Sequence, residues 1–293
     1  MPLHTPTPAH VLVFATSFAM VGVCTGLALG GGSNPLTVVT VRAVGVVALL
    51  LAYFRFARVS LAMTPRDLAT AVGIGCLLCL NNYTINAAIG EIPVPLAILI
   101  FYLWPAITSA AAWALGKEPF RWRSACGLAA AFVGVGLALD VDLTAAQARG
   151  VWLAIVSAFA WSGVFLLTDH CFHGRDTRPA VFWMTVTGAM IFVLALAVTR
   201  DVAWPATPAG WTGILGVPFF FAFAIIGLFV AMRALGPVKT GFYMNFEPIG
   251  TVVLSAIILG QYLAPIQLAG AALVVAALFL FRPLRREALA AAR

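Results

Sequence analysis

The stretch Met244-Asn-Phe-Glu-Pro248 sets a carboxylate directly before a proline, inside an otherwise apolar run that ends near Leu259. A second stretch, Phe101-Tyr-Leu-Trp-Pro105, lies 143 residues earlier and closes on the same X-Pro step. The same offset pairs Thr108 with Thr251 and Gly127 with Gly270. Farther upstream, Phe18-Ala-Met-Val-Gly-Val23 resembles Phe159-Ala-Trp-Ser-Gly-Val164. Self-similarity at a fixed spacing marks a chain built from two copies of one unit. The units are read as residues 1–143 and 144–293.

The surroundings of these stretches are those of a membrane. Of 293 residues, 62% are hydrophobic, 9% are charged and 21 are Phe. Soluble domains carry about 25% charged residues, and the mean hydropathy here is +1.03. A bilayer core of about 30 Å takes about 20 apolar residues per helical crossing. Cutting the chain at its charges, prolines and glycines yields candidate spans at 10–29, 36–54, 68–88, 94–114, 124–140, 151–169, 179–199, 212–232, 239–259 and 265–281. The runs are long and do not alternate, so they read as helices and not barrel strands. The start, Met1 to Ala9, has no Lys or Arg, so no cleavable signal is expected and the first apolar segment stays as a membrane helix.

A net charge of +7 would suit nucleic acid, but the placement of the charge argues for topology. Arg55, Arg58, Arg66, Lys117, Arg121, Arg123, Arg175, Arg178, Arg233, Lys239 and the tail arginines Arg282, Arg285, Arg286 and Arg293 fall at alternate connections. The opposite connections hold Arg149 and Arg200. By the positive-inside rule both termini are cytoplasmic, in a multi-pass protein of a bacterial-type inner membrane.

Five spans per unit make the second copy enter the membrane from the other side. Such inverted-topology repeats recur in secondary transporters, with the substrate site near the midplane between the repeats. The paired five-helix units, with a Gly in the first helix and a Pro in the fourth, resemble the EamA group of the drug/metabolite transporter superfamily. The run Asn81-Asn-Tyr-Thr-Ile-Asn-Ala-Ala88, followed by Phe101-Tyr-Leu-Trp-Pro105, looks most like the YddG-type aromatic amino acid exporters. The resemblance implies an all-α basket of ten transmembrane helices whose central cavity is lined by the first, third, fourth, sixth, eighth and ninth. Many EamA units carry a Gly-Glu pair after the fourth helix. Here Glu118 follows Lys117, and Gln261 replaces the acid in the second half.

Ionisable groups inside a bilayer are costly and mark cavities or pairs. Arg42 and Glu247 lie well inside the expected spans, with Asp169 near an end. Glu247 is expected to share a helix face with Tyr243 and Thr251, and Trp104 is its counterpart in the first repeat. In one reading Glu247 holds a substrate ammonium or takes up a proton; in the other it forms an ion pair with Arg42. Arg42 divides likewise between a substrate carboxylate and Glu247. Pro105 and Pro248 lack an N–H and weaken the turns before them. Asn82 and Asn86 occupy one face of the third helix with Tyr83 beside them, as cavity amides or as interhelical glue. Tyr102, Trp104, Trp161 and Tyr243 lie too deep to be interfacial anchors and would stack on an apolar or aromatic substrate. Trp122, Trp152, Trp204 and Trp211 near span ends read as anchors.

Small residues at Gly127, Gly134, Gly136 and Gly270 allow close helix approach, and Gly30-Gly-Gly-Ser33 reads as a flexible turn. Cys76-Leu-Leu-Cys79, alone in an apolar helix, reads as packing and not as a metal or redox pair. Nothing matches a phosphate loop, a zinc-protease helix or a serine nucleophile elbow, so neither an enzyme nor an ATP-driven pump is expected. The expectation is a cofactor-free secondary carrier working by alternating access, with a monomer sufficing. Its partners would be the lipid bilayer and a small-molecule substrate, most of all aromatic and other neutral amino acids on their way out. A drug or organic-cation exporter is the alternative within the superfamily.

Overall fold

The computed structural model describes residues 8–116, 122–139 and 144–278, and every regular element among them is helical. In chain order these are α1 (Pro8–Gly30), α2 (Pro35–Phe56), α3 (Pro65–Ile89), α4 (Val94–Phe101), α5 (Trp104–Ala114), α6 (Trp122–Ala138), α7 (Ala145–Phe172), α8 (Arg178–Thr199), α9 (Pro208–Met244), α10 (Glu247–Leu254) and α11 (Pro265–Leu278). A π-helical segment, Ser255–Leu259, continues α10. Seven stretches are long and apolar enough to cross a membrane, with α4 and α5 counted together; Ala125–Ala138, Glu247–Leu259 and Pro265–Leu278 are shorter apolar helices. Lys117, Glu118, Arg121, Arg282, Arg285, Arg286 and Arg293 lie outside the described residues, as do the side chains of Arg123, Arg233 and Lys239.

Local chemistry sets the helix starts. Proline occupies the first turn of α2 and α3, where its missing N–H costs nothing. The side chains of Asn34 and Thr64 cap those helices by accepting from Thr37 N and Asp67 N. At α7 a capping box between Thr144 and Gln147 starts the helix at Ala145, ahead of the expected 151.

Helices from the two sequence halves pack on one another, among them α1 on α9, α3 on α7, α2 on α8, α4 on α10 and α6 on α11. Gly31 meets Gly210, Gly216 meets Cys24 and Gly227 meets Phe14, so α1 and the first part of α9 run antiparallel. Asn81 bonds Ser157 while Leu77 meets Gly163, which makes α3 and α7 antiparallel. Phe54 packs on Phe182, and Val39 clusters with Ala189 and Phe192, so α2 opposes α8. Gly134 abuts Gly270 while the Gln267 side chain donates to Ala138 O at 3.2 Å, so α6 opposes α11. Along α1, α4 descends from Val94 beside Gly26, whereas α10 climbs from Gly250 beside Ala19 to Leu259 beside Gly26. Those two are therefore antiparallel as well.

The same contacts decide the shape of α9. A straight helix of its 37 residues would be about 55 Å long. Gly227 lies beside Phe14 and Gly250 beside Ala19, one to two turns apart on α1. A straight rod running on to Met244 leaves too little chain to return to Gly250, so the chain turns back between 227 and 250. The connection expected at 233–238 is helical by backbone hydrogen bonding, and an unwound step comes later, at Asn245–Phe246.

One end of the bundle carries Arg55, Arg58, Arg66, Arg175 and Arg178, with the Arg175 guanidinium forked onto Asp67 at the start of α3. That carboxylate holds the Arg175 pKa above its ordinary value. The other end, with Arg149 and Arg200, is zipped. Ser33 Oγ donates to Ala203 O (2.6 Å), Ala206 N to Gly31 O (2.8 Å) and Val94 N to the Gln261 side chain (2.9 Å), and Arg149 pairs with Glu91. The glycine turn expected to be flexible is thus pinned, because Gly31 lies against the Gly210 backbone, where no side chain would fit.

Of the glycines expected to bring helices together, Gly134 and Gly270 do so, whereas a Cβ on Gly136 would meet nothing within 4 Å. A Cβ on Gly134 would lie 2.7 Å from Gly270 O and 2.9 Å from Val274 N. Gly134→Val is expected to cost about 1–3 kcal/mol, read as a lower melting temperature in detergent. Gly136→Ala should leave that temperature unchanged; equal losses in both variants would contradict this packing.

Candidate functional site

Both fourth helices of the repeat break at the same place. α4 ends at Phe101 and α5 begins at Trp104; α9 ends at Met244 and α10 begins at Glu247. Trp104 and Glu247 stand 143 residues apart, each followed by proline. A proline inside a helix offers no N–H and its ring collides with the carbonyl four residues back. The turns therefore loosen at Tyr102–Leu103 and Asn245–Phe246, where residual bonds such as Leu103 N to Ile100 O (3.0 Å) and Phe246 N to Tyr243 O (3.2 Å) skip one residue fewer.

The two breaks touch. The Tyr102 hydroxyl donates to Glu247 Oε2 at 2.8 Å. An aromatic cluster extends from this contact: Trp104 meets Trp161 edge-on at 6.5 Å and lies 5.5 Å from Phe165. Ser162 Oγ donates to Trp104 O at 2.9 Å, fastening α7 to the start of α5.

Beside this cluster lies a cavity of about 190 Å³ between α2, α3, α7, α8 and α9. It runs from mid-depth toward the basic end. Trp161, Phe165 and Phe221 supply aromatic walls, Val46, Leu50 and Met184 aliphatic ones, and Arg42, Asn82, Thr168 and Thr185 the polar groups. The Arg42 guanidinium lies 5.1 Å from the Phe221 ring centre, a cation–π distance.

The residues singled out in the sequence fall in different places. Asn82, Trp161 and Arg42 line the cavity; Tyr102, Trp104, Glu247, Pro105 and Pro248 form the paired breaks next to it. Arg42 and Glu247 form no ion pair: Glu247 bonds Tyr102 and Arg42 faces Phe221, because they stand on helices that do not pack together. Tyr243 does not share a continuous helix face with Glu247, since the unwound Asn245–Phe246 step separates them, although Thr251 Oγ1 does bond Glu247 O (3.0 Å). Asn86 is buried, with its amide on Asn82 O of its own helix (2.6 Å) and its carbonyl oxygen 3.5 Å from Thr25 Oγ1 of α1. Tyr83 is 43% exposed and is absent from the cavity wall. Of the six helices expected to line the cavity, the third, sixth and eighth spans do, while the second and seventh (α2 and α8) replace the others. Sequence reading missed Thr168 and Phe221, whose only signal was their place on spans already drawn. It also missed that Gln261 closes the α4 N-terminus.

Comparison with known proteins gives the family and the fold. The EamA-like transporter family matches residues 9–139 and again 148–282. No curated protein matches the chain. A protein of solved crystal structure is similar in fold, with a TM-score of 0.61 over 98% of this chain and 97% of its own at 17% identity.

A hydrogen bond onto a buried carboxylate contributes about 1.5–3 kcal/mol. A cycle of Tyr102→Phe, Glu247→Gln and the double variant, read by unfolding in detergent, is expected to show coupling of at least about 1 kcal/mol. Strict additivity would mean that the two breaks are energetically independent.

Proposed function

The chain belongs to the EamA-like transporter family, and from that premise we propose that it is an inner-membrane secondary carrier exporting aromatic and other neutral amino acids. The observation that carries this reading is the small cavity between the two halves. Its aromatic walls suit stacking on an apolar side chain, and among its few polar groups Arg42 suits a backbone carboxylate. The YddG-type resemblance of the stretches around Asn82 and Pro105 points to the same substrates.

The helix pairing supports ten crossings arranged as inverted repeats. The second, fourth and fifth helices of each half pack on their own counterparts, and the first of each packs on the third of the other. A twofold axis in the membrane plane turns each such cross-pair into its counterpart, and it requires every self-pair to be antiparallel. A division at residue 143/144 lies between the two family matches. The basic end is the cytoplasmic one by the positive-inside rule, which sets both termini there.

The same parts support alternating access. The cavity reaches toward the cytoplasmic end while the opposite end is zipped, as in a carrier poised to load from the cytoplasm. Trp104, Tyr102 and Trp161 connect the substrate to the breaks at Pro105 and Pro248, the weakest turns in the fourth helices and natural hinges. Glu247, held by Tyr102, is the group through which a proton would be coupled to their movement. An organic cation could meet the aromatic walls by cation–π contact, but the charge supplied there is Arg42, which opposes it.

Counterflow tests this reading. Proteoliposomes preloaded with unlabelled phenylalanine are expected to accumulate labelled phenylalanine, and leucine more weakly, but not lysine or aspartate. Trp161→Ala should lower apparent affinity for phenylalanine about five- to tenfold. Absence of counterflow with every amino acid, from folded protein, would overturn the proposal.

A further inference from the structure

We infer that the cavity is an anion site: it takes a small apolar carboxylate, held by Arg42 and Thr168, and it does not require the substrate to carry an amino group. The inference rests on the carrier reading above and deepens it by naming the part of the substrate that is recognised.

Arg42 is only 6% exposed, and its Nη2 has no hydrogen-bond partner. It takes part in none of the ion pairs among the described residues. The Phe221 ring is its one charge-stabilising neighbour, and a ring face satisfies none of the five N–H donors. An unpaired guanidinium at this depth is costly for the empty protein. That cost is relieved by whatever brings a negative charge.

The second group is independent of the first. Hydroxyls of threonines in apolar helices fold back onto the carbonyl four residues earlier, as Thr40, Thr84, Thr108, Thr185 and Thr187 all do. Thr168 does not. Its Oγ1 is buried without a partner, and it lines the same cavity as Arg42. Two unfilled donors thus share one small space whose wall holds no Asp or Glu.

The chemistry of the occupant follows from that set. It must accept hydrogen bonds and carry negative charge, and a carboxylate does both with bidentate geometry toward arginine. A single guanidinium balances one negative charge, which favours a monoanion over a phosphate monoester. The remaining walls are aromatic and aliphatic, so the rest of the molecule is apolar. At about 190 Å³ the space lies below the range of about 300–1,000 Å³ usual for drug-sized ligands. An ammonium group finds no counter-charge there and is repelled by Arg42. A zwitterion is therefore tolerated, an amine excluded, and the acid without its amine favoured.

Ligand-induced thermal stabilisation of the full chain in detergent tests this without transport, using three probes with one phenyl body: 3-phenylpropanoate, phenylalanine and phenethylamine. The expected order is 3-phenylpropanoate first, phenylalanine next and phenethylamine without effect. Arg42→Gln should raise the half-maximal concentration for 3-phenylpropanoate on the order of ten- to a hundredfold. Arg42→Lys should recover part of that loss, and Thr168→Val should weaken binding several-fold. If Arg42→Gln does not fold, the Arg42→Lys and Thr168→Val variants decide. The inference is overturned if phenethylamine stabilises as well as the acid, if the Arg42 variants bind 3-phenylpropanoate unchanged, or if no probe binds. Failure of the carrier reading looks different: 3-phenylpropanoate stabilises the protein, yet liposomes show no counterflow.

Discussion

Inside a bilayer there is no water to take up a backbone hydrogen bond that the helix fails to make. A proline in mid-span creates that shortage; α9 carries Pro218 within a continuous helix, whereas at Pro105 and Pro248, in the fourth helix of each repeat, the helix opens. The chain answers by loosening one turn before each of the latter two prolines and setting the two loosened turns against each other. Tyr102 from one break satisfies Glu247 from the other. The aromatic cluster around Trp104, the fastening of α7 through Ser162 and the cavity beside Trp161 all lie within reach of that junction. Were either helix straight, the junction would have no reason to form.

The two ionisable side chains in the membrane illustrate opposite solutions to one electrostatic problem. Glu247 is settled by a neighbour of its own fold. Arg42 is not: it faces an aromatic ring and an open space. A protein that only needed to fold would gain from replacing such a guanidinium by an apolar residue. Its presence at the wall of the cavity between the halves is the kind of local inconsistency that functional sites carry.

Much of this was legible in the sequence. The offset of 143 residues pointed to both breaks, because a proline removes a hydrogen bond from its own helix; that α9 runs on through Pro218 was not legible. Span positions followed from length and hydropathy, and the capping residues Asn34 and Thr64 stood where the helices begin. The cavity was less legible. Trp161 and Asn82, which line it, are conspicuous as large aromatic and amide side chains in an apolar run, but Asn86, from the same run, lies away from it toward Thr25 of α1. Thr168 was invisible, since a threonine that bonds its own backbone and one that does not are identical as letters.

What the sequence determined by itself was therefore what depends on short range: that the chain is helical and apolar, that it repeats, and where prolines weaken its helices. Which residues meet across the two halves was decided only by tertiary structure. The pairing of α2 with α8 brought Arg42 into a cavity expected to belong to other helices, and it kept Arg42 from Glu247. The physical reason is that a helix dictates which of its residues share a face, while the neighbour that face meets depends on how all the other faces are packed.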